Sequence, residues 1–263
     1  MSLKSIVWVM LAILLCSTAT LHAMDIGIMA PTDQKFRAEV YYENYKRDIK
    51  QDVGIFGGST VITQKEDRVL ARFSFAPQRF WGISLEAGGT DSDGSEGIAP
   101  IFGAGAHVVV LDQGAFYASL FGKITWVTGV EYREREEVRF DSEYVVGTYK
   151  RDEDYLEYAV GLQVGHKWTP CAWAEVTSYA GAMANFIKET TSDDRIYMEF
   201  SSAGDEQPYT YSKRDSKLDM EEEHIFQAFA GLATTITPYN IGVRVEGRFH
   251  DRTSISGSLF WNF

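Results

Sequence analysis

Residues 253–263, TSISGSLFWNF, place Thr253, Ile255, Gly257, Leu259, Trp261 and Phe263 on one side of an extended chain. Successive side chains of a β-strand point to opposite faces, so this spacing of two reads as a strand with one apolar face. It ends on an aromatic residue, Phe263. A soluble core has no need of a final strand that alternates up to its last residue.

The same alternation recurs upstream. Ten segments carry it, at approximately 35–46, 67–76, 79–89, 98–111, 115–133, 154–168, 172–188, 223–236, 240–250 and 253–263. One parity collects Phe36, Ala38, Val40 and Tyr42; Val69, Ala71, Phe73 and Phe75; Trp81, Ile83 and Leu85; and Phe102, Ala104, Ala106 and Val108. It continues through Leu120, Ile124, Trp126 and Val130; Tyr158, Val160, Leu162 and Val164; Ala180, Ala182 and Ala184; Phe226, Ala228, Ala230 and Leu232; and Ile241, Val243 and Val245. The opposite parity is ionic: Arg37, Glu39, Glu43, Arg68, Arg72, Glu86, Lys123, Glu131, Arg133, Glu157, Lys167, Glu175, Arg244, Glu246 and Arg248.

Two closed architectures suit such strands. A soluble barrel puts the apolar face inside, whereas a membrane barrel puts it against lipid and encloses the charges. The connections favour the second. AP at 76–77, DQG at 112–114, TPC at 169–171 and TPYN at 237–240 are short, and they alternate with the polar stretches 47–66, 90–97, 134–153 and 189–222. Short turns at one end and long loops at the other are the pattern of outer-membrane barrels. Trp81, Trp168, Trp173, Tyr239, Trp261 and Phe263 gather near the short-turn ends, where amphipathic rings suit a bilayer interface.

On these residues the chain resembles small bacterial outer-membrane barrels of the OmpA/OmpX-like, porin-family type, over essentially all of 35–263. The resemblance implies an all-β, transmembrane, antiparallel up-and-down β-barrel, with ten strands expected and eight as the alternative. It also implies that Leu259, Trp261 and Phe263 form the signal read by the barrel assembly machinery. No wall-binding domain is expected after the barrel, which departs from OmpA-type proteins that carry one.

The N-terminus agrees. Residues 1–23 hold Lys4, an apolar run from Ile6 to Cys16 and a small residue, Ala23, at a plausible cleavage point, as a secretory signal peptide does. Residues 24–34 would be a short periplasmic segment and 35–263 the barrel, in the outer membrane. Cleavage would leave Cys171 as the single cysteine, so no intrachain disulfide is expected, and Cys171 itself reads as a turn residue. The chain of 263 residues, with a mean hydropathy of −0.19, leaves no room for a bundle of membrane helices, each about 20 apolar residues long.

Acids and bases balance on the ionic parity, which predicts pairing and a plugged lumen, since barrels of about eight strands are just wide enough for side chains to fill. A narrow porin is the alternative. The acid excess lies in the long connections: 189–222 count ten acids against four bases, and 134–154 count eight against four. An acidic crown favours cationic ligands, or divalent ions bridging to lipopolysaccharide, and disfavours nucleic acid. The expected partners are outer-membrane lipid, lipopolysaccharide, the assembly machinery and an extracellular ligand at the acidic loops, with the barrel itself a monomer.

No cofactor, metal or catalytic site is expected, and a structural or surface-interaction role follows. Asp91 and Asp93 with Glu222 and His224 resemble the acid pair and Asp-x-His pair of omptin proteases, where a carboxylate orients a His that activates water. Glu stands here where omptins have Asp, and parity turns His224 outward. His107 and His250 face the expected lumen at unrelated depths. His166 and Ser178 are the nearest match to a lipid A deacylase pair, but both lie at or below mid-strand. No GxSxG, phosphate-loop, HExxH or CxxC motif occurs.

Overall fold

The computed structural model describes residues 34–53, 58–140, 143–202, 205–211, 220–222, 226–250 and 252–263. The expected signal peptide and residues 24–33 lie outside the described residues. The described residues form twelve strands: β1 (Phe36–Val53), β2 (Gly58–Gln78), β3 (Trp81–Ser92), β4 (Ile98–Gln113), β5 (Phe116–Phe140), β6 (Glu143–Cys171), β7 (Ala174–Ser202), β8 (Asp205–Tyr211), β9 (Met220–Glu222), β10 (Phe226–Ile236), β11 (Ile241–His250) and β12 (Arg252–Asn262). Ten of them form one closed antiparallel barrel. Sequence neighbours pair throughout, β7 pairs β10, and β12 pairs β1 to close the ring. Two shorter strands extend the wall at the long-hairpin end, β8 along β7 and β9 along β1.

The wall is staggered. A rung followed from Ala99 on β4 passes through Thr90, Arg68, Glu43, Ser256, Glu246, Gly231, Tyr179, Gly165 and Tyr117, and returns to β4 at Asp112. A barrel can close only if its strands tilt, and tilt requires this displacement.

Leu85 is 64% exposed, and Val40, Val69, Phe73, Phe102, Val160 and Leu259 are likewise exposed on the outside of the ring. The ionic parity is enclosed: Arg68 and Glu43 are each 1% exposed, and Glu39, Arg72, Glu86, Glu157, Arg244, Glu246 and Arg248 are buried. Apolar side chains therefore point outward and charges inward. Phe263 completes the seam, its N–H donating to the Phe36 carbonyl and its carbonyl accepting from the Phe36 N–H, both at 2.9 Å.

Three expectations need correction. Most of the stretches expected as loops are strand: β1 and β2 stay paired out to Val53 and Gly58, β5 and β6 to Phe140 and Glu143, and β6 and β7 to Tyr144 and Ser201. Their polar residues mask the apolar alternation without breaking the backbone ladder. The short turns are also displaced. Register shifts at Phe75/Gln78 and Trp168/Cys171 carry strand past the expected AP and TPC turns, so Arg79 and Phe80 turn the chain in one case and Ala172 and Trp173 in the other. Cys171 is accordingly the last residue of β6.

The third correction concerns Val130 and Glu131. A bulge at Thr128 and Gly129 inserts extra chain between the pairs Val127–Tyr155 and Val130–Glu153, with Gly129 at φ 69°. Glycine adopts this left-handed conformation without a Cβ penalty. Val127 and Val130 are consequently both buried, and the alternation beyond the bulge takes Glu131 off the luminal row. Arg133 follows on the same strand, and its side chain lies outside the described residues.

Candidate functional site

The luminal side chains join into a set of ion pairs that crosses the barrel. Arg68 on β2 reaches Glu157 on β6, on the far side of the ring, with Nη1 and Nη2 donating to the two carboxylate oxygens at 3.0 and 2.8 Å. This two-pronged geometry is among the stronger forms of a charged hydrogen bond. The same guanidinium donates to Glu66 at 2.7 and 2.9 Å, while the Tyr155 hydroxyl donates to the other Glu66 oxygen at 2.6 Å. The Thr90 hydroxyl adds a donor to Glu66 at 3.2 Å.

A second group lies nearer the short-turn end. Glu86 on β3 takes Lys123 at 2.6 Å, Arg72 at 3.1 Å and the Tyr41 hydroxyl at 2.8 Å. Arg72 also approaches Glu39 at 3.4 Å, its guanidinium carbon 4.6 Å from the centroid of the Tyr41 ring. Glu39 continues the chain of contacts to Arg244 at 2.6 Å and accepts the Ser258 hydroxyl at 2.5 Å. Arg244 and Arg248 each stand 3.4 Å from Glu246, which also accepts the Tyr179 hydroxyl at 2.8 Å.

Two apolar clusters share the interior with these groups. Tyr117, Phe121, Ala159, Tyr179, Met183 and Phe229 form one apolar cluster, in which Phe121 of β5 meets Phe229 of β10 edge-on at 5.9 Å. Tyr41, Leu70, Ala99, Ile101, Val127, Val130 and Tyr155 form the other. Sequence reasoning read the inner parity by its charges and passed over these residues. A signal was available: Tyr117, Phe121, Tyr179, Phe229 and Phe260 stand directly opposite Gly165, Gly161, Gly231, Gly181 and Gly242 on the neighbouring strand. At each of these glycines an added Cβ would collide with the facing ring, so the missing side chain is what lets the ring lie flat inside the wall.

The expected luminal charges thus divide. Glu39, Arg68, Arg72, Glu86, Lys123, Glu157, Arg244, Glu246 and Arg248 come together in the two groups, and Glu43 is buried beside Arg68 on one rung. Arg37, Lys167 and Glu175 are half-buried toward the short-turn end, and Glu131 lies off the row. Glu66 and Glu153, assigned to loops from the sequence, are buried. At the seam, Leu259, Trp261 and Phe263 face outward. Trp261 and Phe263 are 4.9 Å apart, and Phe263 stacks on Phe36 at 5.6 Å.

Asp91 is exposed, and Asp93 stands 3.8 Å from Lys65. Glu222 pairs with Ile49 in β9, and His224 lies outside the described residues, as does the side chain of His250. His166 sits directly opposite Ser178, with its ring 4.3 Å from Phe116 and 5.5 Å from Trp168. Among the described residues, no group of three or more His, Cys, Asp or Glu is arranged to hold a metal ion.

No protein-family model matches the chain, and no curated protein matches it in sequence. Among solved structures it is similar to the translocator domain of the autotransporter NalP from Neisseria meningitidis, with a TM-score of 0.43 and 9% identity over 87% of this chain and 88% of that one. It is also similar to the P. putida toluene transporter TodX, with a TM-score of 0.29 and 8% identity over 90% of this chain and 93% of that one. A deltaS2S3 mutant of TodX, a monoaromatic hydrocarbon channel, gives 0.27 and 7% over 92% and 94%. These likenesses are distant, and the assignment of a closed ten-stranded antiparallel barrel rests on the pairing of this chain's own strands.

Proposed function

We propose that the chain is a bacterial outer-membrane barrel of the small OmpA/OmpX-like kind, exported by its N-terminal signal and sealed by its own side chains. Its role is structural, in envelope integrity, or one of surface interaction through the acidic ends of its long hairpins, and no catalysis is assigned to it. Outer-membrane lipid, lipopolysaccharide and the barrel assembly machinery are its partners in this reading, with Leu259, Trp261 and Phe263 as the assembly signal.

One observation carries the sealed reading: the contact from Arg68 to Glu157 runs from one side of the wall to the other, with both residues almost fully enclosed. Moving an ion through such a lumen would require these charges to part. Separating a buried pair exposes each member to a desolvation cost of several kcal/mol. The outward apolar face supports insertion in lipid, because a ring with Leu85, Val40 and Leu259 in water would present a continuous apolar belt far larger than the patches soluble monomers tolerate.

Planar-bilayer recording tests the sealed lumen. The purified protein is expected to give no steady unitary conductance, whereas Arg68→Ala together with Glu157→Ala opens brief ion-selective events. Regular openings from the unaltered protein would replace the sealed reading with the narrow porin.

A further inference from the structure

Arg68, Arg72, Arg244, Arg248 and Lys123 each lie within 3.4 Å of a carboxylate oxygen. Arg37 breaks this rule. Among the described residues no carboxylate stands at ion-pair distance from it. Its Nε donates to the neutral Oδ1 of Asn262 at 2.7 Å, and its guanidinium carbon lies 4.8 Å from the centroid of the Phe260 ring. A guanidinium has five N–H donors, so four on Nη1 and Nη2 remain beyond the Asn262 contact. The acid closest in sequence, Glu39, is held by Arg244, Arg72 and the Ser258 hydroxyl.

Arg37 borders a small cavity at the short-turn mouth of the lumen, with Lys35, Ser74, His107 and Asn262. Gly82 makes room for the His107 ring there, since a Cβ at this position would stand 2.6 Å from its Cε1. The cavity volume is about 30 Å³. One water occupies about 10 to 15 Å³ on this measure, so the space takes about two oxygen-sized atoms. Two cations, Lys35 and Arg37, and the Ser74 hydroxyl line this space, and the paired Nη donors of an arginine suit a planar carboxylate.

We propose that this mouth binds a carboxylate, with Arg37 as its two-pronged partner and Lys35 as the outer cation. The shared chemistry is a free small carboxylate or the carboxylate of a peptide reaching the barrel from that side. The proposal draws on the membrane reading only for which compartment the mouth faces, and binding in micelles does not depend on that.

The test uses the full protein, folded in non-ionic detergent, titrated calorimetrically with acetate, with a short peptide bearing a free α-carboxylate and with inorganic phosphate. Acetate and the peptide are expected to compete for one site. Arg37→Gln is expected to weaken binding about tenfold or more, as loss of a charged hydrogen-bonding partner does, and Arg37→Lys less. Arg79→Gln, at a rim cation already paired with Asp112 at 2.9 Å, should leave it unchanged. Equal affinity for acetate and peptide identifies a free carboxylate as the source, and a peptide bound much more tightly identifies a chain. Lys35→Gln, at an exposed residue before β1, supplies a weaker-binding variant should Arg37→Gln not fold. Absence of saturable binding, tighter binding of phosphate than of carboxylate, or binding indifferent to both substitutions would overturn the proposal.

Discussion

Arg68 satisfies two glutamates at once, and its removal should show how the lumen is held. Arg68→Leu would leave Glu66 and Glu157 enclosed without their shared cation. Breaking one side of a buried ion pair costs about 3 to 5 kcal/mol, so the urea midpoint for unfolding from lipid vesicles should fall by a corresponding amount. Adding Glu66→Gln and Glu157→Gln should restore most of the loss, because the uncompensated charges are then gone. A triple variant as unstable as the single one would mean that Arg68 acts through packing alone. At this scale the sequence was informative about residue type and silent about partners. Alternation alone marks Arg68 and Glu157 as luminal, but their meeting depends on the diameter and stagger of the closed wall, which no local pattern encodes.

At the scale of the strand, the bulge in β5 decides which residues reach the interior. Asp154 secures it from β6, its Oδ1 accepting both the Thr128 hydroxyl and the Gly129 N–H at 2.6 Å. Gly129 is exposed, so water can replace the lost acceptor. Asp154→Ala should therefore cost about 1 to 3 kcal/mol, two hydrogen bonds to a charged acceptor being lost and partly replaced by water, and hydrogen exchange at Gly129 should quicken while the barrel stays folded. Loss of the folded state in that variant would show that the bulge needs its cap to form at all. The bulge also explains where the alternation misled. From Leu120 to Trp126 parity reads the faces correctly, and beyond Gly129 it inverts, so Val130 and Glu131 exchange places. The register shifts before Gln78 and Cys171 displaced the turns in the same way. The outer parts of β5, β6 and β7 escaped notice for another reason. Their apolar residues, such as Ile196, Met198 and Phe200, are few and are separated from the inner alternation by charged and hydroxyl-bearing runs such as 189–195, so the period of two is interrupted before it resumes.

For the whole molecule, ten strands close a ring whose outside is apolar and whose inside is ionic and aromatic. The number of strands was legible because each apolar row is interrupted by turn residues, and a ten-strand count needs no knowledge of register. The lining of the interior was legible only in part: the balance of acids and bases pointed to pairing, whereas Phe229 and Met183 sit on the polar parity and are buried there without any charge. The fold inverts the usual arrangement of a globular protein, and the inversion is stable only where the surroundings are hydrocarbon.

Spin labels placed singly at Val40, Leu85, Val160 and Leu259 of the protein in lipid vesicles test that dependence most directly. At all four positions relaxation is expected to respond strongly to oxygen, which concentrates in the bilayer, and weakly to a water-soluble nickel chelate. Strong relaxation by the chelate at these four positions would contradict the account.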